Sequence, residues 1–253
     1  AKSLTVSGIT ASDKIYDGST SATLDASLVV YSGLVGGDTF NGSYTGAFSN
    51  ANVGTGKTVT ITPSYSGADV NNYTVTNQSS TTADISAKAL TATASTANKT
   101  YDGGTTATTT LTFTGLVGTE TLGQTVGSTF DNKNVGSNKT VTVNSITLAD
   151  GSGLAANYSI SAGQTTTANI IAKSLTVSGI TASNKIYDGN TVATLDPIGV
   201  TYSGLVSGDS FAGSYSGSFS DKNIGTGKTV TITSSYSGSD VSNYTVTDQS
   251  STT

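Results

Sequence analysis

The sequence predicts an all-β protein: a tandem array of three small antiparallel β-sandwich-like domains that form an elongated rod. Its composition, a strand-like alternation of apolar residues and a long internal repeat support this prediction. Thr, Ser, Gly, Ala and Val dominate the 253 residues. Because β-branched side chains suit a pleated sheet and Gly and Asn suit its turns, this composition favours strands joined by tight turns over helices.

Short segments place an apolar residue at every second position, which is the period of a strand with one face on a core. In the first repeat these segments are residues 3–7, 57–62, 72–76 and 82–86. Two further strands are predicted around residues 28–31 and 40–48, and Gly-rich turns separate the segments. Short strands with a turn signal every ~8 to 12 residues are typical of an antiparallel sandwich.

The first and last thirds of the chain are near-copies of each other. Residues 1–82 align without a gap with residues 172–253, and 63 of these 82 residues are identical. A diverged copy lies between them, and the period of about 85 residues is long enough for each copy to close its own apolar core. The predicted domains are residues 1–86, 87–171 and 172–253, the last of which lacks its final strand.

The copies adjoin without a Pro-rich or Ser-rich linker. The alternation of apolar residues continues from the last strand of one copy into the first strand of the next, between residues 81 and 95. We therefore expect short, stiff connections between three domains in a row. The missing final strand of the third copy indicates a section of a longer array.

Several classes of function are disfavoured by residues that the chain does not contain. There is no Cys, His, Met, Trp or Arg, so disulfides, thiolate nucleophiles and the commonest general base and metal ligand are absent. A net charge of -5 without Arg disfavours nucleic acid as a partner. No apolar run approaches the roughly 20 residues of a membrane span, so we expect no membrane insertion of this segment. We expect no enzyme activity and no cofactor.

A Tyr-Asp-Gly motif, preceded by a Lys two positions before the Tyr, occurs once in every copy. It stands at Tyr16-Asp17-Gly18, Tyr101-Asp102-Gly103 and Tyr187-Asp188-Gly189. We interpret it as the structural motif that defines the repeat. Asp-Gly suits the positive φ angles of a tight turn, and the Tyr is expected to bury its ring while its hydroxyl finds a backbone partner.

Three alternatives stay open for the residues around this motif. Calcium is the first, although no EF-hand spacing is present; the candidate carboxylates are Asp17, Asp38, Asp69, Asp188, Asp209 and Asp240. A Lys-to-Asn isopeptide crosslink is the second; the candidate pairs are Lys14 with Asn72, Lys99 with Asn157 and Lys185 with Asn243. The third is N-glycosylation, because the same three Asn residues match the N-x-[ST] pattern.

Tyrosines on the predicted strands offer a binding alternative, because aromatic rings can stack on sugars. The candidate glycan-stacking residues are Tyr31, Tyr44, Tyr65, Tyr202, Tyr215 and Tyr236. They occupy equivalent positions in the first and third copies.

Four motifs follow one another along the copies: K-x-YDG near the start, N-[VI]-G-x-x-KTVT in the middle, NY-[TS]-[VI] near the end and T-A-x-I at the close. Together they resemble the YDG and MBG (mostly β, Gly-rich) repeats of large bacterial surface adhesins, including two-partner-secreted, filamentous-haemagglutinin-like proteins. The resemblance implies a tandem stalk in an exported adhesin on the bacterial cell surface, and it implies no catalytic residues. The second copy departs most, with Ser137-Asn138 in place of Thr-Gly.

The leading functional prediction is a non-enzymatic extracellular stalk that projects a binding tip or links cells in a biofilm. One alternative is that the repeats themselves bind extracellular polysaccharide, or a host or neighbouring cell surface. Another is lateral self-association into filaments through exposed strand edges. Screening against glycans and sedimentation at several concentrations would separate these predictions.

Overall fold

The computed structural model describes residues 1–253, which form β-strands, turns and three single-turn 3-10 helices, with no α-helix. The prediction of an all-β chain with three tandem repeats is confirmed. No helix has the length and apolar character needed to span a bilayer. The 3-10 helices occupy the same place in each repeat: Val70–Asn72, Ala155–Asn157 and Val241–Asn243.

The strands follow the three repeats in order. The first repeat contains β1 (Lys2–Ser7), β2 (Thr10–Ala11), β3 (Lys14–Ile15), β4 (Ser21–Ala22), β5 (Leu24–Asp25), β6 (Val30–Ser32), β7 (Asn41–Phe48), β8 (Gly54–Ser66), β9 (Tyr73–Thr76) and β10 (Ser80–Ser86). The second contains β11 (Lys88–Ala89), β12 (Thr91–Thr96), β13 (Lys99–Thr100), β14 (Thr106–Ala107), β15 (Thr109–Thr114), β16 (Leu122–Phe130), β17 (Gly136–Asp150), β18 (Tyr158–Ser159) and β19 (Thr165–Ile171). The third contains β20 (Lys173–Ser178), β21 (Thr181–Ala182), β22 (Val192–Ala193), β23 (Leu195–Asp196), β24 (Thr201–Ser203), β25 (Ala212–Phe219), β26 (Val230–Ser237), β27 (Tyr244–Thr247) and β28 (Ser251–Thr252).

Each repeat distributes its strands over separate sheets, and no sheet contains strands from two repeats. The first repeat has the orders β6-β1-β9 and β3-β10-β8-β7-β4, with a small β2-β5 pair. The third repeat has β24-β20-β27 and β22-β25-β26-β28, with a β21-β23 pair. The second repeat has β13-β19-β17-β16-β14 and two strand pairs, β11-β18 and β12-β15.

The core of the first repeat takes residues from both of its main sheets, as two packed layers require. Leu4 and Val6 on β1 are 0% and 2% exposed, and they cluster with Phe40 and with Ile61 of β8. The residues that alternate with them on β1 and β8 are mostly Ser and Thr and face solvent. The alternation in the sequence therefore marks the inner face of each sheet.

The strand pairing differs from the predicted antiparallel arrangement, because the main sheets are mixed. β1 pairs antiparallel with β6 but parallel with β9, where Leu4 lies opposite Val75. β10 likewise pairs antiparallel with β8 and parallel with β3. Parallel neighbours need a long crossover, and here the chain passes through the other sheet between the two strands. Alternation does not reveal this, since it is the same in both kinds of pairing.

The chain forms two compact units. The first unit comprises Ala1–Thr93, Thr112–Thr125 and Ile146–Ser161. The second comprises Ala94–Leu111, Val126–Ser145 and Ala162–Thr253. Each unit therefore contains one complete terminal repeat together with part of the second repeat.

Within each unit an apolar core crosses a repeat boundary, whereas we expected every repeat to close its own core. In the first unit, Tyr16, Val59 and Ile85 of the first repeat cluster with Leu90 and Tyr158 of the second. The second unit has a corresponding cluster of residues from the second and third repeats, which includes Tyr101, Val141, Ile170, Leu175 and Tyr244. The repeats are thus separate in their hydrogen-bonded sheets and joined in their packing.

Candidate functional site: the tyrosine junction between repeats

The Tyr-Asp-Gly loop is held by the Lys at the start of its motif. Lys14 Nζ donates to Asp17 Oδ1 at 2.7 Å and to the carbonyl oxygen of Ser19 at 2.8 Å. The Ser19 N–H donates to the same Asp17 oxygen at 2.8 Å, and Gly18 adopts a φ of 77°. The hydrogen bonds from Lys14 and Ser19 lower the pKa of Asp17 to about 2. The loop is therefore a charged turn with a left-handed glycine.

The loop directs the ring of Tyr16 away from its own repeat and towards the second repeat. The Tyr16 hydroxyl donates to Glu120 Oε1 at 2.7 Å, and the Tyr158 hydroxyl donates to Glu120 Oε2 at 2.6 Å. The two rings meet edge to face with centroids 5.4 Å apart. The Val117 N–H donates to the Tyr158 hydroxyl at 2.9 Å. We call Tyr16, Glu120 and Tyr158, with the residues that contact them, the first junction.

A buried asparagine completes the first junction. The Val53 N–H donates to Asn157 Oδ1 at 2.9 Å, and Asn157 Nδ2 donates to Asn52 Oδ1 at 3.1 Å. Asn157 is 2% exposed. Gly18 also faces this contact, because a Cβ atom at that position would lie 2.9 Å from Cγ1 of Val117. The first repeat thus meets the second through two loops, the Tyr-Asp-Gly loop and the Asn-Val-Gly loop.

The second unit repeats this geometry between the second and third repeats. The Tyr101 hydroxyl donates to the carboxylate of Asp209 at 2.9 Å, and the Tyr244 hydroxyl donates to it at 2.5 Å. The Val135 N–H donates to Asn243 Oδ1 at 2.9 Å. A Cβ atom at Gly103 would lie 2.9 Å from Val206 Cγ1. These residues form the second junction.

A lysine adds charge to the second junction. Lys133 Nζ lies 3.2 Å from Asp209 Oδ1 and 2.8 Å from Asp240 Oδ1. The first repeat has Ala51 at the position of Lys133, and the second repeat has Leu154 at the position of Asp240. The basic residue and its acidic partner are therefore present together in one junction and absent together from the other.

The hydrogen bonds and burial shift the ionisation of these groups. The hydrogen bond to Glu120 and burial raise the pKa of Tyr16 to about 12. Burial and the hydrogen bond to Asp209 raise the pKa of Tyr244 to about 12. Burial opposes the ionisation of Asp209, but hydrogen bonds from Tyr244, Tyr101 and Lys133 outweigh it and lower its pKa. Each junction is thus built from neutral tyrosines around an ionised carboxylate.

The third copy of the motif shows what buries the other two. Tyr16 and Tyr101 are 5% and 1% exposed, whereas Tyr187 is 57% exposed. The loop of the third copy keeps its ion pair, with Lys185 Nζ 2.7 Å from Asp188 Oδ1. The tyrosine is therefore buried by the following repeat and not by the fold of its own repeat.

The tyrosines predicted to stack on glycans lie inside one aromatic cluster per terminal repeat. In the first repeat, Tyr31 and Tyr65 contact Phe40, with ring centroids 5.3 Å and 5.0 Å apart. The Tyr31 and Tyr44 hydroxyls are 3.0 Å apart. The third repeat has the same arrangement around Phe211, formed by Tyr202, Tyr215 and Tyr236. All six rings are half-buried, and sugar binding by them stays a prediction.

The candidate calcium carboxylates are dispersed. Asp17 and Asp188 pair with the lysines of their own loops, and Asp38 accepts a hydrogen bond from Tyr73. No group of three or more carboxylates comes together. Calcium binding stays an untested expectation.

The Lys and Asn residues considered for a crosslink have different partners. Lys99 Nζ donates to the carbonyl oxygens of Gly104 and Thr106, while Asn157 binds the Asn-Val-Gly loop of the first repeat. Asn157 and Asn243 are also 2% and 1% exposed, so the folded chain does not offer these two N-x-[ST] sites for glycosylation. Asn72 is exposed.

Sequence analysis missed the junction carboxylates. Their signal is present, because an acidic residue follows the Gly of each Gly-Leu-Val segment by five positions, at Asp38, Glu120 and Asp209. The glutamate at the second of these positions, the one Glu in the chain, replaces an aspartate. Nothing local connects these residues to the tyrosines, since Tyr16 and Glu120 are 104 positions apart.

This geometry defines a tandem all-β repeat protein in which a following repeat buries the motif tyrosine of the preceding one. The chain belongs to the YDG domain family, which matches residues 1–83, 86–168 and 171–253. No curated protein and no solved structure matches the chain. The Tyr-Asp-Gly motif at the junctions lies within each of the three matched segments.

Proposed function

We propose that the chain is a non-enzymatic stalk region of an extracellular bacterial adhesin, which projects a binding tip or links cells in a biofilm. The observation that supports this proposal is the burial of the motif tyrosine by the following repeat. Tyr16 and Tyr101 are 5% and 1% exposed, against 57% for Tyr187. A stalk must resist bending at the boundaries between its repeats.

The junctions supply such resistance. At each boundary an apolar cluster spans two repeats, and a carboxylate accepts hydrogen bonds from tyrosines of both. Bending there would expose apolar surface and leave a charged group without partners, and both effects cost free energy. A flexible polar linker would carry no such penalty.

The composition suits an exported protein. The chain has no Cys, so it needs no oxidant to fold outside the cell. Its net charge of -5 opposes unguided aggregation of a strand-rich chain. The resemblance of its motifs to repeats of bacterial surface adhesins points to the same location.

Small-angle scattering tests the proposal. A stalk gives a radius of gyration well above the roughly 18 Å of a compact globule of this length. A value near 18 Å would contradict the stalk. Antibody labelling of intact cells that produce the protein tests the location separately, and labelling only after permeabilisation would contradict an extracellular role.

A further inference from the structure

The first repeat carries the residues of a junction that has no preceding repeat packed against it. Asp38 accepts a hydrogen bond from the Tyr73 hydroxyl at 2.5 Å, and the Val35 N–H donates to that hydroxyl at 3.0 Å. The Val117 and Val206 N–H groups make the same bond to Tyr158 and Tyr244 in the two junctions, both at 2.9 Å. The first repeat therefore has the receiving half of a junction already in place.

This receiving half is open to solvent. Val35 is 43% exposed. Asn72 is exposed and its side chain makes no hydrogen bond, whereas Asn157 and Asn243 at the same position are 2% and 1% exposed. Asp38 has room for a second tyrosine hydroxyl, since the equivalent carboxylates accept from two. We call Val35, Asp38, Asp69, Asn72 and Tyr73 the head surface.

The third repeat carries the inserting half of a junction. Tyr187 is 57% exposed and Ile224 is 89% exposed, and both line an open groove of about 680 Å³. They stand where Tyr16 and Val53 stand in the first repeat. Lys222, also exposed, takes the position of Lys133. We call Tyr187, Lys222 and Ile224 the tail surface.

Charge matches the tail surface to the head surface. In the second junction, Lys133 bridges Asp209 and Asp240 at 3.2 Å and 2.8 Å. The tail has the corresponding lysine, Lys222, and the head has the corresponding carboxylates, Asp38 and Asp69. The second repeat has Leu154 in place of the second carboxylate, so the tail fits the head of the first repeat better than it fits that surface.

We propose that the head surface binds the tail surface of a second copy of this chain, so that copies associate end to end. Tyr187 donates its hydroxyl to Asp38 and buries its ring against Val35, as Tyr16 does with Glu120 and Val117. The Ile224 N–H donates to Asn72, and Lys222 pairs with Asp38 and Asp69. Such a head-to-tail contact is heterologous, so it produces open chains or closed rings. The inference does not depend on where the protein acts.

Sedimentation of the full chain at increasing concentration tests this contact. The weight-average mass is expected to rise with concentration in the wild type, and to stay at that of a monomer in Tyr187→Ala and in Asp38→Ala. Both residues are at least partly exposed, and circular dichroism checks that each variant is folded. A wild-type chain that stays monomeric up to about 1 mM would overturn the proposal.

Mixing the two variants separates end-to-end from lateral association. The Tyr187→Ala chain keeps its head surface and the Asp38→Ala chain keeps its tail surface. An equimolar mixture is therefore expected to form a dimer and to stop there, because neither free end of that dimer can continue. A mixture that stays monomeric, or variants that grow like the wild type, would each contradict the proposal.

Discussion

The rings of Tyr16 and Tyr158 meet edge to face, with centroids 5.4 Å apart and planes at 79°, and both hydroxyls donate to Glu120. Tyr16 belongs to the Tyr-Asp-Gly motif of the first repeat, and Tyr158 belongs to the Asn-Tyr motif of the second. Two of the recurring sequence motifs thus meet each other across a repeat boundary. Hydrogen bonds to an ionised group are stronger than neutral ones, so we expect this contact to stabilise the first unit.

Removing the ring of Tyr16 is expected to destabilise the first unit. Tyr16→Ala removes a buried aromatic side chain, which typically lowers the unfolding free energy by about 3 to 5 kcal/mol. Tyr187→Ala is the matched control, because the same motif residue is 57% exposed there, and its effect is expected to stay within about 0.5 kcal/mol. Denaturant unfolding followed by circular dichroism measures both, and equal losses would show that the following repeat does not stabilise the motif.

The motif glycines offer a second matched comparison. Gly18 and Gly189 have φ angles of 77° and 81°, so alanine is strained at both by about 1 kcal/mol. Only at Gly18 would the new Cβ also meet a neighbour, Val117 Cγ1 at 2.9 Å, while at Gly189 it would meet nothing. Gly18→Ala is expected to lower the unfolding free energy by about 1 to 3 kcal/mol more than Gly189→Ala. Thermal unfolding of the two variants gives the difference, and similar losses would argue against the close approach at the junction.

Alkaline pH is expected to destabilise the folded chain through the junction tyrosines. The pKa of Tyr16 is raised to about 12, against about 10 for tyrosine in an unfolded chain. The folded state therefore binds the proton more tightly, so the stabilisation is complete below pH 10 and is lost as the pH rises towards 12. Denaturant midpoints measured over this range should fall, and Tyr16→Phe should reduce the slope. A slope that is the same in the variant would contradict the assignment.

Acid is expected to weaken the second junction through the pair of Lys133 and Asp240. Hydrogen bonds from Lys133 and from the Ser210 backbone lower the pKa of Asp240 to about 2. A lowered pKa gives stability that is present above the unfolded value of about 4 and is lost as the pH falls towards 2. Lys133→Met should remove much of this acid dependence, as seen by tyrosine fluorescence. An unchanged acid transition in the variant would mean that the ion pair does not contribute.

The strands and the repeats were predictable from the sequence because both leave a local or periodic signal. Val59 and Ile61 are 0% and 5% exposed, and they stand two positions apart as a strand with one buried face requires. The near-identity of the first and third repeats revealed the tandem arrangement. The Tyr-Asp-Gly loop could be read as a turn because Asp and Gly are chemically suited to one.

The crossover topology and the junction could not be read in the same way. Parallel pairing of β1 with β9 depends on how the chain crosses between sheets, and alternation is the same for either direction. The partner of Tyr16 is Glu120, 104 positions later, and the expectation of a backbone partner for the hydroxyl was wrong because the following repeat supplies a carboxylate. The buried Asn157 resembled a glycosylation site for the same reason, since only the folded chain shows that the Asn-Val-Gly loop covers it.

The most direct test of the junction is a double-mutant cycle with Tyr16→Phe and Glu120→Ala, measured by denaturant unfolding. Tyr16→Phe removes only the hydroxyl, and Glu120→Ala removes its acceptor. If the hydroxyl and the carboxylate join the two repeats, the cycle gives a coupling free energy of about 1 to 2 kcal/mol. Effects that simply add, with a coupling below about 0.3 kcal/mol, would contradict the claim that this hydrogen bond holds consecutive repeats together.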